Sequence, residues 1–313
     1  MERNNLKTNL KFILSGLTGI IILVFLFFLF PRQVSAQEFS LSISPPITEI
    51  IIQPGKSYTQ TFTVKNNGGS VVIMPKIYPF VPLDTQGHAE LIEDQNSVDA
   101  FSNWFYFDRS GISIGTTGSH NFTLKITPPE SAEEKDYYFT FMVEVINDNN
   151  LGVNNSQAKA RIGANLLVSV SKDGNPPKKA SIIEFSAPKI IDSFMDLTYK
   201  IILGNYGQSL YKPVGKITVD QIFGKTTTLN LAPLNILVGG KREIACVYEE
   251  TLDTCKLPDR FIIGIFSSNL SFTVDGTGET IEKQVYTVAF PFSAVLALGV
   301  IFVIYRSIKR MGA

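Results

Sequence analysis

A chain of 313 residues is long enough for two domains of ordinary size, each with its own core. Basic and acidic residues balance at 28 each, but the balance is uneven along the chain. Once Glu2 and the basic residues near both ends are set aside, 21 basic side chains face 27 acidic ones, a charge near −6. With no basic stripe to neutralise phosphates, nucleic acid is excluded as the expected partner.

At the N-terminus Arg3, Lys7 and Lys11 precede an apolar run from Phe12 to Phe30, and Val34-Ser35-Ala36 places small residues before Gln37. This is the layout of a secretory signal peptide over 1–36. The run is also long enough to span a bilayer uncleaved, so a signal anchor is the alternative.

Period-two alternation then dominates. Pro54-Gly55 fits the centre of a type II turn from Gln53 to Lys56, followed by alternation from Tyr58 to Lys65 and turn residues at Asn66 to Gly69. This stretch is expected to be an early hairpin. Phe122, Leu124 and Ile126 alternate with Thr123 and Lys125, and Tyr137, Phe139, Phe141, Val143 and Val145 share one face of a strand. A Gly- and Pro-bearing stretch at 172–180 reads as a linker between a first β-sandwich over 37–171 and a second over 181–284.

The two halves echo one another. "YTQTFTVKNNGGS" at 58–70 lies over "LTYKIILGNYGQS" at 197–209, matching Phe62 with Ile201, Val64 with Leu203, Asn66 with Asn205 and Gly68 with Gly207. The Asn-x-Gly in each is expected to supply the positive φ of a tight turn. Further on, Cys246 and Cys255 either pair across a short loop, in an oxidising compartment, or stay as two buried thiols.

Val285 to Tyr305 is apolar throughout and is followed by Arg306, Lys309 and Arg310. It reads as a transmembrane helix over 285–305 with a basic cytoplasmic tail at 306–313; a buried core helix is the alternative.

"ISPPITEIIIQPGKSYTQTFTVKNNGG", "NWFYFD" and "TLKITPPESAEEKDYYFTFMVEV" together resemble the Ig-like domain of bacterial WxL-interacting surface proteins. More loosely they are similar to NEW3-type and pilus-chaperone-type Ig-like domains. The resemblance covers Ser42 to about Val170 and implies peptidoglycan binding.

Signals of catalysis are weak. His88 and His120 lack metal-ligand spacing, and Ser169 to Lys172 matches SxxK only formally, at the end of a strand. Asp275 to Thr280 reads as a hairpin turn in place of a calcium loop. Trp104, Tyr106, Phe107, Tyr78 and Phe80 raise the idea of a glycan platform, although Trp104 fits a core better and an exposed ring is sought at Tyr137 or Tyr138. Asn121, Asn154 and Asn269 begin N-x-S/T triplets.

The expectation is an all-β protein of two tandem Ig-like β-sandwiches with a signal peptide and a transmembrane helix, with no catalytic, cofactor or metal residues nominated and Cys246 and Cys255 as a candidate disulfide. Its expected role is a membrane-anchored cell-surface binding or scaffold protein engaging peptidoglycan, another envelope polymer or a surface protein. The alternative is a structural spacer or chaperone-like subunit in assembly.

Overall fold

A computed structural model describes residues 40–146, 160–222 and 224–311, and the chain from Ser40 onward forms one compact unit. The leader and the Asn154 triplet lie outside the described residues.

Ten strands build the first sandwich: β1 (Leu41–Ser44), β2 (Ile47–Ile52), β3 (Tyr58–Asn66), β4 (Val71–Pro82), β5 (Ala89–Leu91), β6 (Phe105–Tyr106), β7 (Ile112–Ile114), β8 (Ser119–Ile126), β9 (Asp136–Ile146) and β10 (Arg161–Val170). One sheet runs β1-β3-β8-β6; the other runs β2-β10-β9-β4-β5, with β7 also on β4. Helix α1 (Gln95–Asp99) and a 3-10 turn (Ser102–Trp104) lie between β5 and β6.

The alternation seen in the sequence is what buries one face of each sheet. Phe62 of β3 and Phe141 of β9 stack across the sandwich at 4.7 Å between ring centres, and both are fully buried. Phe122 of β8 joins them at 5.6 Å from Phe141. The outward residues of β3 and β8, Thr61 and Thr123 among them, pair along the solvent face.

Ten more strands follow: β11 (Ala180–Ser186), β12 (Ile190–Asp192), β13 (Lys200–Asn205), β14 (Pro213–Gln221), β15 (Thr226–Asn230), β16 (Lys241–Glu243), β17 (Cys246–Tyr248), β18 (Thr251–Asp253), β19 (Gly264–Val274) and β20 (Thr277–Phe290). Their sheets repeat the first plan: β11-β13-β16 matches β1-β3-β8, and β12-β20-β19-β14-β15 matches β2-β10-β9-β4-β5. In both, the short strand β2 or β12 runs parallel to the last strand, β10 or β20. The echo between 58–70 and 197–209 is therefore a repeat of position. Asn66 and Asn205 end equivalent strands, and Phe62, Val64, Ile201 and Leu203 are each fully buried.

Three expectations change. Gln53 to Lys56 is indeed a type II turn, with Gly55 at φ +73 and Lys56 N–H donating to Gln53 O at 3.1 Å, but it joins no hairpin. β2 pairs with β10 and β3 with β1 and β8, so the chain crosses from one sheet to the other at this turn. Second, the glycine of the 205–207 Asn-x-Gly has no positive φ. A Cβ at Gly207 would sit 2.5 Å from the Lys179 nitrogen, so close approach of the linker is what requires glycine there.

Third, the apolar run of 285–305 is divided. Val285 to Phe290 completes β20, with Thr287 and Ala289 buried and Tyr286, Val288 and Phe290 facing out, and Pro291 separates it from helix α2 (Phe292–Met311). The strand was hidden because both of its faces are largely apolar, which erases the period-two contrast. Pro291, directly before the first helical residue, cannot continue the ladder and starts the helix readily. The second sandwich thus extends to 290, and α2, 20 residues or ~30 Å long, is long and apolar enough to cross a membrane. It carries Arg306, Lys309 and Arg310 in its final turns, and its apolar side chains are exposed along its length.

Candidate functional site

β4 is the longest strand of the first sandwich, and its outer edge is only partly covered. β7 pairs with Val71–Ile73 and β5 with Phe80–Pro82, which leaves the stretch between them without a strand on that side among the described residues. Pro79 O accepts from Ile92 N–H at 2.8 Å, so the odd-numbered residues direct their backbone groups to this edge. Pro75 and Pro79 fall on that parity and offer no N–H. Two prolines at edge-facing positions blunt the edge against strand addition.

A groove of about 270 Å³ lies along this gap, roofed by α1 and the 3-10 turn. Asp94 caps α1 by accepting from Ser97 N–H at 3.0 Å. Phe101, Phe105, Phe107 and Phe139 wall the groove, and Lys76, Arg109, Glu93 and Asp99 stand at its mouth. Lys76 bridges Glu144 at 2.7 Å, and Tyr78 Oη donates to the same carboxylate at 3.2 Å. Burial alone would push the Glu144 carboxyl up; the hydrogen bond and charge of Lys76 outweigh it and hold the group below its ordinary value. The Arg109 guanidinium lies 5.2 Å from the Phe107 ring centre. Aromatic walls with both signs of charge at the rim suit an extended ligand with an apolar body and polar ends.

The second feature is the joint between the sandwiches. Phe80, Tyr138 and Leu167, on the outer face of the β10-β9-β4 sheet, pack with Leu210, Leu237 and Val238 of the second sandwich. At its centre the buried Asp136 carboxylate accepts from Ser169 Oγ at 2.6 Å, Tyr138 Oη at 3.0 Å and Leu210 N–H at 2.6 Å. Asp136 N–H donates to Gln208 O at 2.8 Å, and Val238 N–H donates to Tyr138 Oη at 2.9 Å. Lys212 and Asn235 both reach Glu49, at 2.9 and 2.5 Å. Desolvation, with Asp136 alongside, pushes the Tyr138 phenol far above its ordinary value.

Each residue singled out from the sequence has a place in this frame. Cys246 and Cys255 form a buried disulfide, S–S 2.05 Å, that closes the β17–β18 hairpin. Ser169 of the SxxK match is locked to Asp136, and Lys172 bridges Glu134 at 3.1 Å, so the two are not poised for nucleophilic chemistry. His88 pairs with Asp84 at 2.6 Å, and His120 lies against the Phe122 ring. Among the described residues, no group of three His, Cys, Asp or Glu side chains could hold a metal. Asp275 sits in the β19–β20 turn at φ +51, bonded to Lys178 of the linker and to Lys212 N–H. Trp104 is core, packed edge-on to Tyr137 at 4.7 Å. Neither tyrosine of the 137–138 pair is an exposed ring: Tyr138 is covered by the second sandwich and Tyr137 is half-buried against Phe101 and Trp104. Of the rings singled out from the sequence, Tyr106 is the one that stands well exposed, at 79 %. Asp136, the residue with most to do at the joint, had only one signal, a carboxylate opening a largely apolar strand.

No family model matches the chain, and no curated protein matches it. Solved structures with some likeness include the class 5 fimbriae chaperone CfaA, at 12 % identity and TM-score 0.39, covering 81 % of this chain and 100 % of that one. The E. coli chaperone DraB stands at 14 % identity and TM-score 0.35, covering 80 % and 97 %; the YadV chaperone stands at 12 % and 0.37, covering 79 % and 98 %. With no family model matching, the resemblance to the WxL-interacting family gains no support.

Proposed function

We propose that the chain is a membrane-anchored scaffold that holds a surface protein partner at a fixed attitude to the membrane. The observation that carries the reading is the Asp136 node, which ties the two sandwiches together through buried, fully partnered hydrogen bonds. A flexible tether would have no use for it. Helix α2 follows β20 after a single proline and supplies the anchor, and Arg306, Lys309 and Arg310 keep its C-terminal end in the cytoplasm. Spin labels on the full chain at exposed positions of the two sandwiches, Y106C and L252C, test the scaffold reading. A narrow distance distribution is expected. One as broad as that of a freely hinged pair would sink it.

A contact role for the groove is favoured by its aromatic walls and its proline-guarded edge, which together direct recognition to side chains and away from strand addition. A photo-crosslinking residue at Tyr106, beside the groove in sequence, should capture a protein in intact cells. Capture of wall polymer with no protein would favour the peptidoglycan alternative.

A further inference from the structure

The end of the second sandwich that leads into α2 is unusually apolar on its outside. Asp192 closes β12 and binds two elements at once. Its carboxylate accepts from Phe194 N–H at 3.0 Å, shaping the turn after β12, and from Ser293 N–H at 2.7 Å and Ser293 Oγ at 3.1 Å, holding the first turn of α2. These bonds, led by that of the Ser293 N–H, hold its carboxyl below the ordinary carboxylate range. Ser193 continues the linkage: its N–H donates to Phe290 O at 3.1 Å, and its carbonyl accepts from Ile262 N–H at 3.0 Å. The turn after β12, the loop before β19 and the start of α2 are therefore stitched into one rim.

That rim presents Phe194 and Met195 at 59 % and 62 % exposure, with the Phe261 ring, at 50 %, tilted against Phe194 at 5.2 Å between centres. The Phe290 and Phe292 rings, 4.9 Å apart, continue it across Pro291 onto the helix. Immediately above, Ile190, Val288 and Ile265 form an exposed cross-strand stripe, since Val288 pairs with both of the others. Contiguous exposed apolar surface marks an interaction site. Here the occupant is settled by continuity: the patch begins where the apolar helix begins and shares a ring contact with it, so any bilayer holding α2 meets the rim first. Charges flanking the rim balance in number, Lys189, Lys225 and Arg260 against Asp192, Asp196 and Asp259, and Lys225 pairs with Asp259 at 2.6 Å. This fits the interfacial zone of a zwitterionic bilayer better than an anionic headgroup cluster.

We propose that the Phe194–Met195 turn, Phe261 and Phe290 insert into the membrane interface and seat the second sandwich directly on the lipid surface. This rests on the anchoring reading above, and the experiment separates the two. The full chain carrying M195C, or E279C at the opposite end of the β19–β20 hairpin, is labelled with an environment-sensitive fluorophore and reconstituted into phosphatidylcholine vesicles. Resistance to carbonate extraction reports anchoring. Expected for the Met195 site is blue-shifted emission, quenched at least threefold more than the Glu279 site by headgroup nitroxide lipid. Vesicle retention with water-like emission at Met195 overturns seating and leaves anchoring intact. Blue-shifted emission without lipid quenching assigns the patch to a protein neighbour and also overturns it. Release by carbonate overturns anchoring and seating together.

Discussion

The Asp136 carboxylate and the Leu210 backbone N–H meet at 2.6 Å across the boundary between the two sandwiches. Asp136→Ala would leave the Ser169 hydroxyl, the Tyr138 hydroxyl and this N–H without their shared acceptor. Unsatisfied buried groups cost about 1–3 kcal/mol each and relax in part, so a total loss of about 3 kcal/mol is expected. Urea unfolding of the full chain in detergent checks it, with two separated transitions where wild type shows one. An unchanged midpoint would show that the joint is energetically idle.

Asn66 and Asn205 should both be intolerant of change for one shared reason. Asn66 Nδ2 donates to Gly69 O at 2.7 Å and its Oδ1 accepts from Gly68 N–H at 3.0 Å; Asn205 does the same with Ser209 O at 2.9 Å and Gly207 N–H at 2.9 Å. Asn205 also donates to the buried Ile236 O at 2.8 Å. Alanine at either position is expected to cost about 2 kcal/mol, with Asn205 the more costly. Thermal melts of the single variants decide the order, and a neutral Asn205→Ala would contradict it.

High pH should weaken the fold in a defined window. Desolvation raises the phenols of Tyr138, Tyr199 and Tyr211, and pushes Tyr199 up to about 12. Below pH 10 both folded and unfolded states keep these groups protonated, so they add no pH dependence. Above it the unfolded chain loses protons that the folded one retains, and stability falls by up to ~1.4 kcal/mol per pH unit for each group until its folded value is passed. Phenolate absorbance followed with tryptophan fluorescence should show these three ionising together with unfolding near Trp104. Ionisation of all tyrosines in a folded protein would refute the burial argument.

The β17–β18 turn places Glu249 at φ +43 and Glu250 at φ +72, where side chains with a Cβ are strained. E249N/E250G, the residue pair such a two-residue turn favours, is expected to stabilise the protein by about 1 kcal/mol. Replacing both Cys246 and Cys255 with serine should cost about 2–3 kcal/mol for so short a loop. Denaturation midpoints of both variants, without reductant, provide the check.

The β-class, the repeat and the turn at Pro54-Gly55 were legible because they depend on local signals: alternation from Tyr58 to Lys65, and Pro and Gly at fixed offsets. Sheet membership was not. Whether the strand after the Pro54-Gly55 turn pairs back or crosses to the other sheet depends on β10, more than a hundred residues away. β20 was masked by apolar residues on both faces. The groove was invisible because its walls come from β4, β9 and the 101–109 segment together. Asp136 gave little sign of its role, since its partners Leu210 and Ser169 lie in distant parts of the chain.

The parallel pairing of β12 with β20 has a mechanical consequence. On the anchoring proposed above, tension between the first sandwich and the membrane would enter the second sandwich upstream of β12 and leave it at the C-terminal end of β20. Pulled in opposite directions, two parallel strands slide past one another and load all their hydrogen bonds together, where an antiparallel hairpin would peel open one bond at a time. The same holds for β2 and β10, which pair over six residues against three for β12 and β20. Under such load the second sandwich would be the weaker link, and the chain would lengthen there while the groove kept its shape.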